Sequence, residues 1–257
     1  MKEYKAYAKV NIFLKITGMR DNYHEIISRF MKVNSLFDVL SFIPKEDKEF
    51  SIVGDFACTV QENTIYKAYQ ALLDFTSSDA LKLLMQKNAI KVEKSIPAFA
   101  GLGGGSSDAA TFLHMCNDTL DLGLSLDTLA SIGLKVGADV PFFIYNYESA
   151  NVSGIGEIVE EFKEEPLSFE VFTPDVKIST PFVYKTYRKH FFAPIDADDV
   201  KEYKDMNSLA VLNKMDAYEA NDLFAPAMKE YSGLEQHYKK DWHFSGSGSS
   251  FFRIKSC

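Results

Sequence analysis

Alternating apolar and polar positions near the start of the chain predict a strand over residues 4–16. One face of this strand is apolar and consists of Val10, Ile12, Leu14 and Ile16. The other face carries Lys9 and Asn11, followed by Phe13. Because successive side chains of a strand point to opposite faces, Lys9 and Asn11 lie side by side. This face is either an ordinary solvated surface or a polar pair held for function.

Hydrophobic periodicity predicts a mixture of strands and helices in the rest of the chain. The predicted strands cover residues 30–43, 50–60, 90–96, 167–172 and 251–255. A further strand is predicted after Asp139 within 137–145, and the glycines of 149–162 predict a hairpin or a crossing. The predicted helices cover residues 62–75, 79–88, 106–120, 125–137, 181–191, 206–214 and 219–240. Ser125 is the predicted N-cap of its helix, and the acidic residues 196–199 predict a loop.

The segment PAFAGLGGGSSDAA, residues 97–110, predicts an anion-binding loop. Glycine adopts positive φ without steric cost, so successive backbone N–H groups can converge on one cluster of oxygen atoms. The helix predicted from Ser106 adds unpaired N–H groups and partial positive charge at its N-terminus, which favours a phosphate. The structural alternative is a flexible turn followed by a serine N-cap.

This loop is not a P-loop, because no Lys-Ser or Lys-Thr follows its glycines. The dinucleotide-binding fingerprint fits better, since Gly101 and Gly103 have its spacing and Ser106 stands at its third position. The acidic residue that this fingerprint requires about 20 residues later would be Asp118 or Asp121. An oxidoreductase is therefore an alternative to a phosphate-transferring enzyme.

Composition and charge indicate a globular protein that binds no polyanion. The 257 residues are 46% hydrophobic, which is enough to form a hydrophobic core. The net charge is −8, and the basic residues form no cluster of the kind that binds nucleic acid or anionic lipid. The three cysteines, Cys58, Cys116 and Cys257, lack metal-ligand spacing and indicate a reducing compartment. With no apolar leader and no apolar run of about 18 residues, we expect a soluble, cytoplasmic protein that is not bound to a membrane.

Further features can be structural or functional. Asp139 is either a turn former or a carboxylate at the lip of a cleft, and Tyr23 and His24 follow a predicted turn, where such residues are commonly surface decoration. A second glycine and serine loop, HFSGSGSS, covers residues 243–250. The composition shifts within residues 150–165, which predicts two domains, 1–155 and 156–257.

Taken together, AKVNIFLKITG, PAFAGLGGGSSDAA, GADVPFF and FSGSGSSFF resemble the motifs of the galactokinase, homoserine kinase, mevalonate kinase and phosphomevalonate kinase (GHMP) superfamily. The resemblance covers nearly the whole chain in the same order. It implies an α+β fold of two domains, with an N-terminal domain like the second domain of ribosomal protein S5 and a ferredoxin-like C-terminal domain. It also implies that ATP and substrate meet in the cleft between them.

The resemblance assigns roles to residues at matching positions. Lys9 and Asp139 match the catalytic pair, and an opposite charge within ~4–6 Å would keep the carboxylate ionised. Asn11, Tyr23 and His24 match positions that bind substrate in the family. Thr180 and Tyr184 match positions in the segment that closes over a cytosine. The loop for the ATP phosphates is matched by Pro97, Ala98, Phe99, Ala100, Gly101, Leu102, Gly103, Gly104, Gly105, Ser106 and Ser107.

The implied enzyme transfers phosphate from ATP, which brings Mg²⁺, to a cytidine-diphosphate-linked polyol, as a monomer or weak dimer. Two alternatives on the same scaffold stay open, a non-catalytic binding protein and a kinase of homoserine, mevalonate or a phosphorylated relative. Three positions depart from the family. The segment GMRDNYH is one residue shorter than the family motif and has Asn22 where the family has glycine. Phe99 replaces a small residue beside the adenine pocket, and Asp108 stands where asparagine is common.

Overall fold

The computed structural model describes residues 2–255, so Cys257 lies outside the described part of the chain. The described residues form two compact units. Unit 1 contains residues 2–8, 36–98 and 104–146, and unit 2 contains residues 9–35, 99–103 and 147–255. This division follows packing and not chain order, and the domain boundary at residue 155 stays a prediction.

Within the described residues the chain alternates between strands and helices. The strands are β1 (Tyr4–Arg20), β2 (Tyr23–Pro44), β3 (Ile52–Val53), β4 (Asn88–Glu93), β5 (Ser149–Gly154), β6 (Ile158–Glu161), β7 (Phe169–Phe172), β8 (His243–Phe244) and β9 (Phe251–Ile254). The α-helices are α1 (Thr64–Thr76), α2 (Asp79–Lys87), α3 (Gly104–Leu120), α4 (Leu126–Leu134), α5 (Val140–Tyr145), α6 (Thr180–His190), α7 (Ala197–Asp205), α8 (Ser208–Lys214), α9 (Ala217–Ala220) and α10 (Phe224–Glu230). A 3₁₀-helix covers Ser232–His237.

Unit 1 packs helices α1 to α5 beside a small sheet. The second half of β2 pairs antiparallel with β4, with Leu40 opposite Val92, and β3 runs parallel to β4. Local capping explains where three of the helices begin, because a side-chain oxygen accepts a backbone N–H at each N-terminus. The capping residues are Asn63 for α1, Ser78 for α2 and Ser125 for α4.

Unit 2 contains a three-stranded sheet in the order β7-β9-β8. It also contains the first half of β2, which pairs antiparallel with β5. Of the two alternatives for residues 149–162, a hairpin or a crossing, the structure has the hairpin, in which β5 pairs antiparallel with β6. Its core is rich in aromatic rings, with Phe224 and Phe244 4.8 Å apart between ring centroids. Helix α6 contributes Val183 and Tyr187 to this core, and β1 contributes Leu14.

Several predicted elements were wrong. The strand expected within 137–145 is helix α5, with Pro141 in its first turn; a short apolar run does not distinguish a buried strand from a buried helix. In 50–60 only Ile52–Val53 is a strand, and turns follow it. The acidic segment 196–199 begins helix α7, because the Asp196 carboxylate caps it by accepting from Asp198 N at 2.9 Å.

The helix predicted over 219–240 is instead divided among α9, α10 and the 3₁₀-helix. Asn221 forms an isolated parallel bridge with Leu14 of β1, which interrupts the helical pattern. Pro226 lies in the first turn of α10, where its missing N–H leaves no hydrogen bond unmade. Within residues 2–255, none of the helices has the length and apolar character needed to span a membrane.

Candidate active site

The glycine loop has an alternating backbone conformation. Positive φ angles occur at Phe99 (55°), Gly101 (73°) and Gly103 (72°), and helix α3 begins at Gly104, two residues earlier than predicted. Alternation of residues with positive and negative φ can turn successive N–H groups toward one point, as an anion-binding nest requires. Phe99 adopts this conformation although it is a bulky residue, and its side chain is 57% exposed.

Lys9 lies in β1 within unit 2, and only 3% of it is exposed. Its Nζ donates to Asn11 Oδ1 at 2.7 Å and to the carbonyl oxygen of Gly101 at 3.1 Å, and it lies 4.6 Å from the centre of the Phe30 ring. Asn11 in turn donates to Ser28 Oγ at 3.0 Å. The interpretation of this strand face as solvated is therefore wrong, because Lys9 and Asn11 are buried and bonded to each other.

A second loop, residues 245–250, holds the glycine loop in place within unit 2. Ser245 Oγ donates to Gly101 O at 2.9 Å, and Ser250 N donates to Ala100 O at 3.1 Å. A Cβ atom on Gly101 would lie 2.1 Å from Ser245 O, so glycine is required there both for φ and for space. The sequence prediction assigned no site role to Ser245, although the SGSGSS run drew attention to the segment.

The first turn of α3 belongs to unit 1. Thr64 Oγ1 donates to Gly105 O at 2.6 Å, and Ser107 is buried. A Cβ atom on Gly137 would lie 3.7 Å from Ser106 Oγ, so the turn that precedes Asp139 is next to this helix start. Asp139 is the N-cap residue of α5, but its side chain makes no capping hydrogen bond. Since Lys9 belongs to unit 2, the pairing of Lys9 with Asp139 stays a prediction.

His24 and Tyr184 lie close together in unit 2. Their ring centroids are 4.8 Å apart with 30° between the ring planes, and His24 is only 7% exposed. Burial, with the nearby positive charge of Arg188, holds the pKa of His24 below its usual value. Its Nε2 is buried and has no hydrogen-bond partner among residues 2–255, so the hydrogen-bonding capacity of this ring nitrogen is unused there. His24 is therefore not surface decoration.

Tyr23 and Thr180 are the remaining predicted substrate residues. Tyr23 is the first residue of β2 and is 64% exposed, so its ring is accessible to a ligand. Thr180 is the first residue of α6, and its hydroxyl lies 2.6 Å from Ser247 Oγ. Helix α6 is thus bonded to the same second loop that holds Gly101.

The dinucleotide alternative lacks its acidic residue. Asp118 lies in the last turn of α3 and Asp121 follows that helix, whereas the fingerprint requires an acid at the end of a strand. A separate cavity of about 390 Å³ in unit 2 is bordered by Lys15, Tyr203 and Lys214. None of the predicted site residues borders it.

Comparison with known proteins identifies relatives over the full chain. The family model for the GHMP kinases N terminal domain matches residues 63–147. A 4-diphosphocytidyl-2-C-methyl-D-erythritol kinase of Sulfurimonas denitrificans is 63% identical over 99% of this chain and 97% of its own length. The enzyme of the same name from Campylobacter jejuni serotype O:6 is 40% identical over 97% of this chain and 99% of its own.

Solved structures of GHMP kinases superimpose on this chain. The crystal structure of a 4-(cytidine 5'-diphospho)-2C-methyl-D-erythritol kinase superimposes with a TM-score of 0.75 and 28% identity, over 99% of this chain and 90% of that one. A mevalonate kinase superimposes with a TM-score of 0.65 over 100% of this chain and 92% of that one. Its sequence identity is only 14%, so this match shows a common fold only.

Proposed function

The chain belongs to the 4-diphosphocytidyl-2-C-methyl-D-erythritol kinases of the GHMP kinase family, and we propose that Lys9, Asp139 and the glycine loop carry out the reaction. The protein is an ATP-dependent kinase. It phosphorylates the 2-hydroxyl of 4-diphosphocytidyl-2-C-methyl-D-erythritol, giving the 2-phosphate and ADP, in the methylerythritol phosphate route to isoprenoid precursors.

The observation that carries the assignment of residues is the contact of Lys9 Nζ with Gly101 O. It brings a buried ammonium group to the loop whose N–H groups would receive the ATP phosphates. Phosphoryl transfer depends mainly on positioning and on stabilising negative charge, and this contact supports both roles for Lys9. The loop residues Pro97 to Ser107 bind phosphate through the backbone, whose conformation depends on the positive φ of Gly101 and Gly103.

Asp139 is the proposed proton acceptor for the attacking hydroxyl. A general base must lie within reach of the proton that it removes, beside the group that transfers. Asp139 stands at the N-terminus of α5, directly after the turn in which Gly137 approaches Ser106 at the start of α3, and this position supports the role. Asn11 is the proposed hydrogen-bond partner of the polyol, since its amide lies beside Lys9.

We further propose that Mg²⁺ arrives with ATP. Among residues 2–255 no group of three His, Cys, Asp or Glu side chains is arranged to hold a metal ion. Magnesium retains water and phosphate ligands readily, so ATP oxygens would supply most of its coordination. The hydroxyl of Ser107 in the first turn of α3 is the protein group that we expect nearest to it.

The proposed cytosine pocket consists of Tyr23, His24, Thr180 and Tyr184. A cytosine offers two faces for stacking and a planar edge with donors and acceptors, whereas homoserine and mevalonate have no ring to stack. The unpaired Nε2 of His24 supports recognition of that edge. Stacking on aromatic rings contributes about 1–3 kcal/mol per base in nucleic-acid sites.

The remaining properties are also proposals. We propose a cytoplasmic enzyme that acts as a monomer or weak dimer and binds neither nucleic acid nor membranes, which the net charge of −8 supports.

A phosphate-transfer assay with a set of alcohols tests the function. ATP and the cytidine-diphosphate-linked polyol should give ADP and the 2-phosphate, with much lower kcat/KM for free methylerythritol, mevalonate and homoserine. Equal turnover of these alcohols would contradict the cytosine pocket and leave only an ATP-dependent small-molecule kinase.

A further inference from the structure

Lys94 has an ion-pair network that the roles assigned above do not use. It follows β4 in unit 1, and its Nζ lies 2.5 Å from Asp38 Oδ2 and 2.8 Å from Asp108 Oδ2. The side chains of Asp38 and Asp108 are almost completely buried, and that of Lys94 is only slightly exposed. One ammonium group is therefore shared by two buried carboxylates from different elements, β2 and α3.

One carboxylate is hydrogen-bonded to the entering stem of the glycine loop, and the other lies in the leaving stem. Asp38 Oδ1 accepts from the backbone N–H of Ser95 at 2.5 Å and of Ile96 at 2.8 Å, the residues that enter the loop before Pro97. Asp108 lies in α3 directly after its first turn and after Ser107, where the chain leaves the loop. Lys94 thus links the entering stem, Ser95–Ile96, with the leaving stem, residues 104–108.

The two stems are also closely packed against each other. A Cβ atom on Gly104 would lie 2.9 Å from Ile96 Cγ2 and 3.7 Å from Lys94 Nζ. The ammonium of Lys94 is therefore beside the first residue of α3. A small change in its position would change the spacing of the stems, because the helix start has no slack against Ile96.

The electrostatics require the cation at this place. Burial raises the pKa of the Asp108 carboxyl to about 7, although Lys94 opposes the rise, and Asp38 adds to it by repulsion. The two carboxylates together outweigh burial and raise the pKa of Lys94 itself. Without the ammonium, nothing would oppose the burial and the repulsion by Asp38 that raise the pKa of Asp108, and an unpaired buried charge is costly.

We propose that Lys94 is a positioning residue for phosphoryl transfer, which sets the spacing of the loop stems through Asp38 and Asp108 so that the loop binds ATP. This inference rests on the proposed function of the loop. Lys94 acts through the two carboxylates and not by touching the phosphates. Its loss should therefore impair the ATP site and leave the site for the polyol nearly intact.

Lys94→Met tests this directly. We expect KM for ATP to rise about 10-fold or more, because small misplacements of positioning groups have effects of this order. KM for the cytidine-linked substrate should change less than about 2-fold, since uniform effects on both substrates would mean general damage. Backbone N–H groups of Ser95 and Ile96 should exchange faster with solvent in the absence of ATP. Lys91→Met, on the exposed part of β4, is the matched control and should change none of these values.

Two further variants separate positioning from direct phosphate contact. Lys94→Arg keeps the charge and should lose less ATP affinity than Lys94→Met. Adding Asp108→Asn to Lys94→Met removes the repulsion and should recover most of the lost affinity for ATP. If the double variant stays as weak as Lys94→Met, Lys94 contacts phosphate itself and the proposal is wrong. A rise in both KM values, or an unchanged KM for ATP, overturns it as well.

The proposed function can fail independently. Binding of a non-hydrolysable ATP analogue and amide exchange need no second substrate, so they test Lys94 even if the wild type does not phosphorylate the cytidine-linked polyol.

Discussion

The ammonium group of Lys9 donates a hydrogen bond of 3.1 Å to the carbonyl oxygen of Gly101, 92 positions later in the sequence. The same carbonyl oxygen accepts from Ser245 Oγ at 2.9 Å. Since Gly101 O is engaged twice, the peptide plane is fixed and the carbonyl dipole is directed to Lys9. A carbonyl held in this way cannot turn toward a phosphate, which would repel it.

Lys9→Met should lower kcat more than it raises KM. The ammonium charge matters most when negative charge shifts in the transition state, and loss of such a group typically costs about 10²–10³ in kcat. Steady-state kinetics with both substrates measure this. Lys5→Met is the control, because Lys5 lies exposed on the same strand, where its Nζ is 4.3 Å from the Phe37 ring centre. Wild-type turnover in Lys9→Met would remove this residue from the mechanism.

Asp139→Asn should abolish most turnover while ATP binding stays nearly intact. Removing the proton acceptor typically costs about 10²–10⁴ in rate. Calorimetry with an ATP analogue measures binding separately from turnover. Asp127→Asn is the control, since Asp127 lies on the exposed side of α4 and accepts a hydrogen bond from Tyr145 OH at 2.9 Å. A variant that retains near wild-type kcat would disprove the assignment of Asp139 as base.

Gly101→Ala should weaken ATP binding sharply. The new Cβ would meet Ser245 O at 2.1 Å in a residue with φ of 73°. Gly123→Ala separates the two effects, because Gly123 also has positive φ, 65°, but nothing lies within 4 Å of its Cβ position. Both variants should lose about 1 kcal/mol of stability from backbone strain, and Gly101→Ala should lose more because of the contact with Ser245 O. Only Gly101→Ala should lose ATP affinity. Equal ATP affinities in the two variants would mean that the loop is only a structural turn.

His24→Ala should raise KM for the cytidine-linked substrate about 10-fold or more, because a hydrogen bond within a buried pocket is lost. Replacing cytosine by uracil in the substrate should cause a comparable loss in the wild type and little further loss in His24→Ala. His190→Ala, at the exposed end of α6, is the control. If the uracil substrate loses as much affinity in His24→Ala as in the wild type, His24 does not recognise the edge of the base.

Asp108→Asn should stabilise the protein at pH 8. Burial raises the pKa of this carboxyl to about 7 in the folded state, so ionisation opposes folding. This cost is complete above pH 7 and disappears as the pH falls toward the unfolded pKa of about 4. The variant should gain about 1–3 kcal/mol in urea unfolding at pH 8 and less at pH 5, since one pKa unit corresponds to about 1.4 kcal/mol. Asp79→Asn, at an exposed site on α2, is the control. A less stable Asp108→Asn at pH 8 would show that the ionised carboxylate is favourable to the fold.

Features with local causes could be predicted from the sequence alone. The caps Ser78 and Ser125 act within one helical turn, so the starts of α2 and α4 were predicted closely. The glycines of 101–105 determine a backbone that can take positive φ, whatever surrounds it. The order of the motifs identified the superfamily, because the residues that a reaction needs leave a pattern of residue types.

Tertiary structure alone decided which distant groups meet. Ser245 reaches Gly101 across 144 positions, and Lys94 reaches Asp38 across 56. The same holds for α5, whose apolar sequence suits a buried strand as well as a buried helix. Hydrophobic patterns specify how much surface a segment buries but not its partner, and an ion pair depends on the register of two elements that no local sequence encodes. No local pattern therefore distinguishes Lys94 from an ordinary polar residue, and only the fold places two buried carboxylates around it.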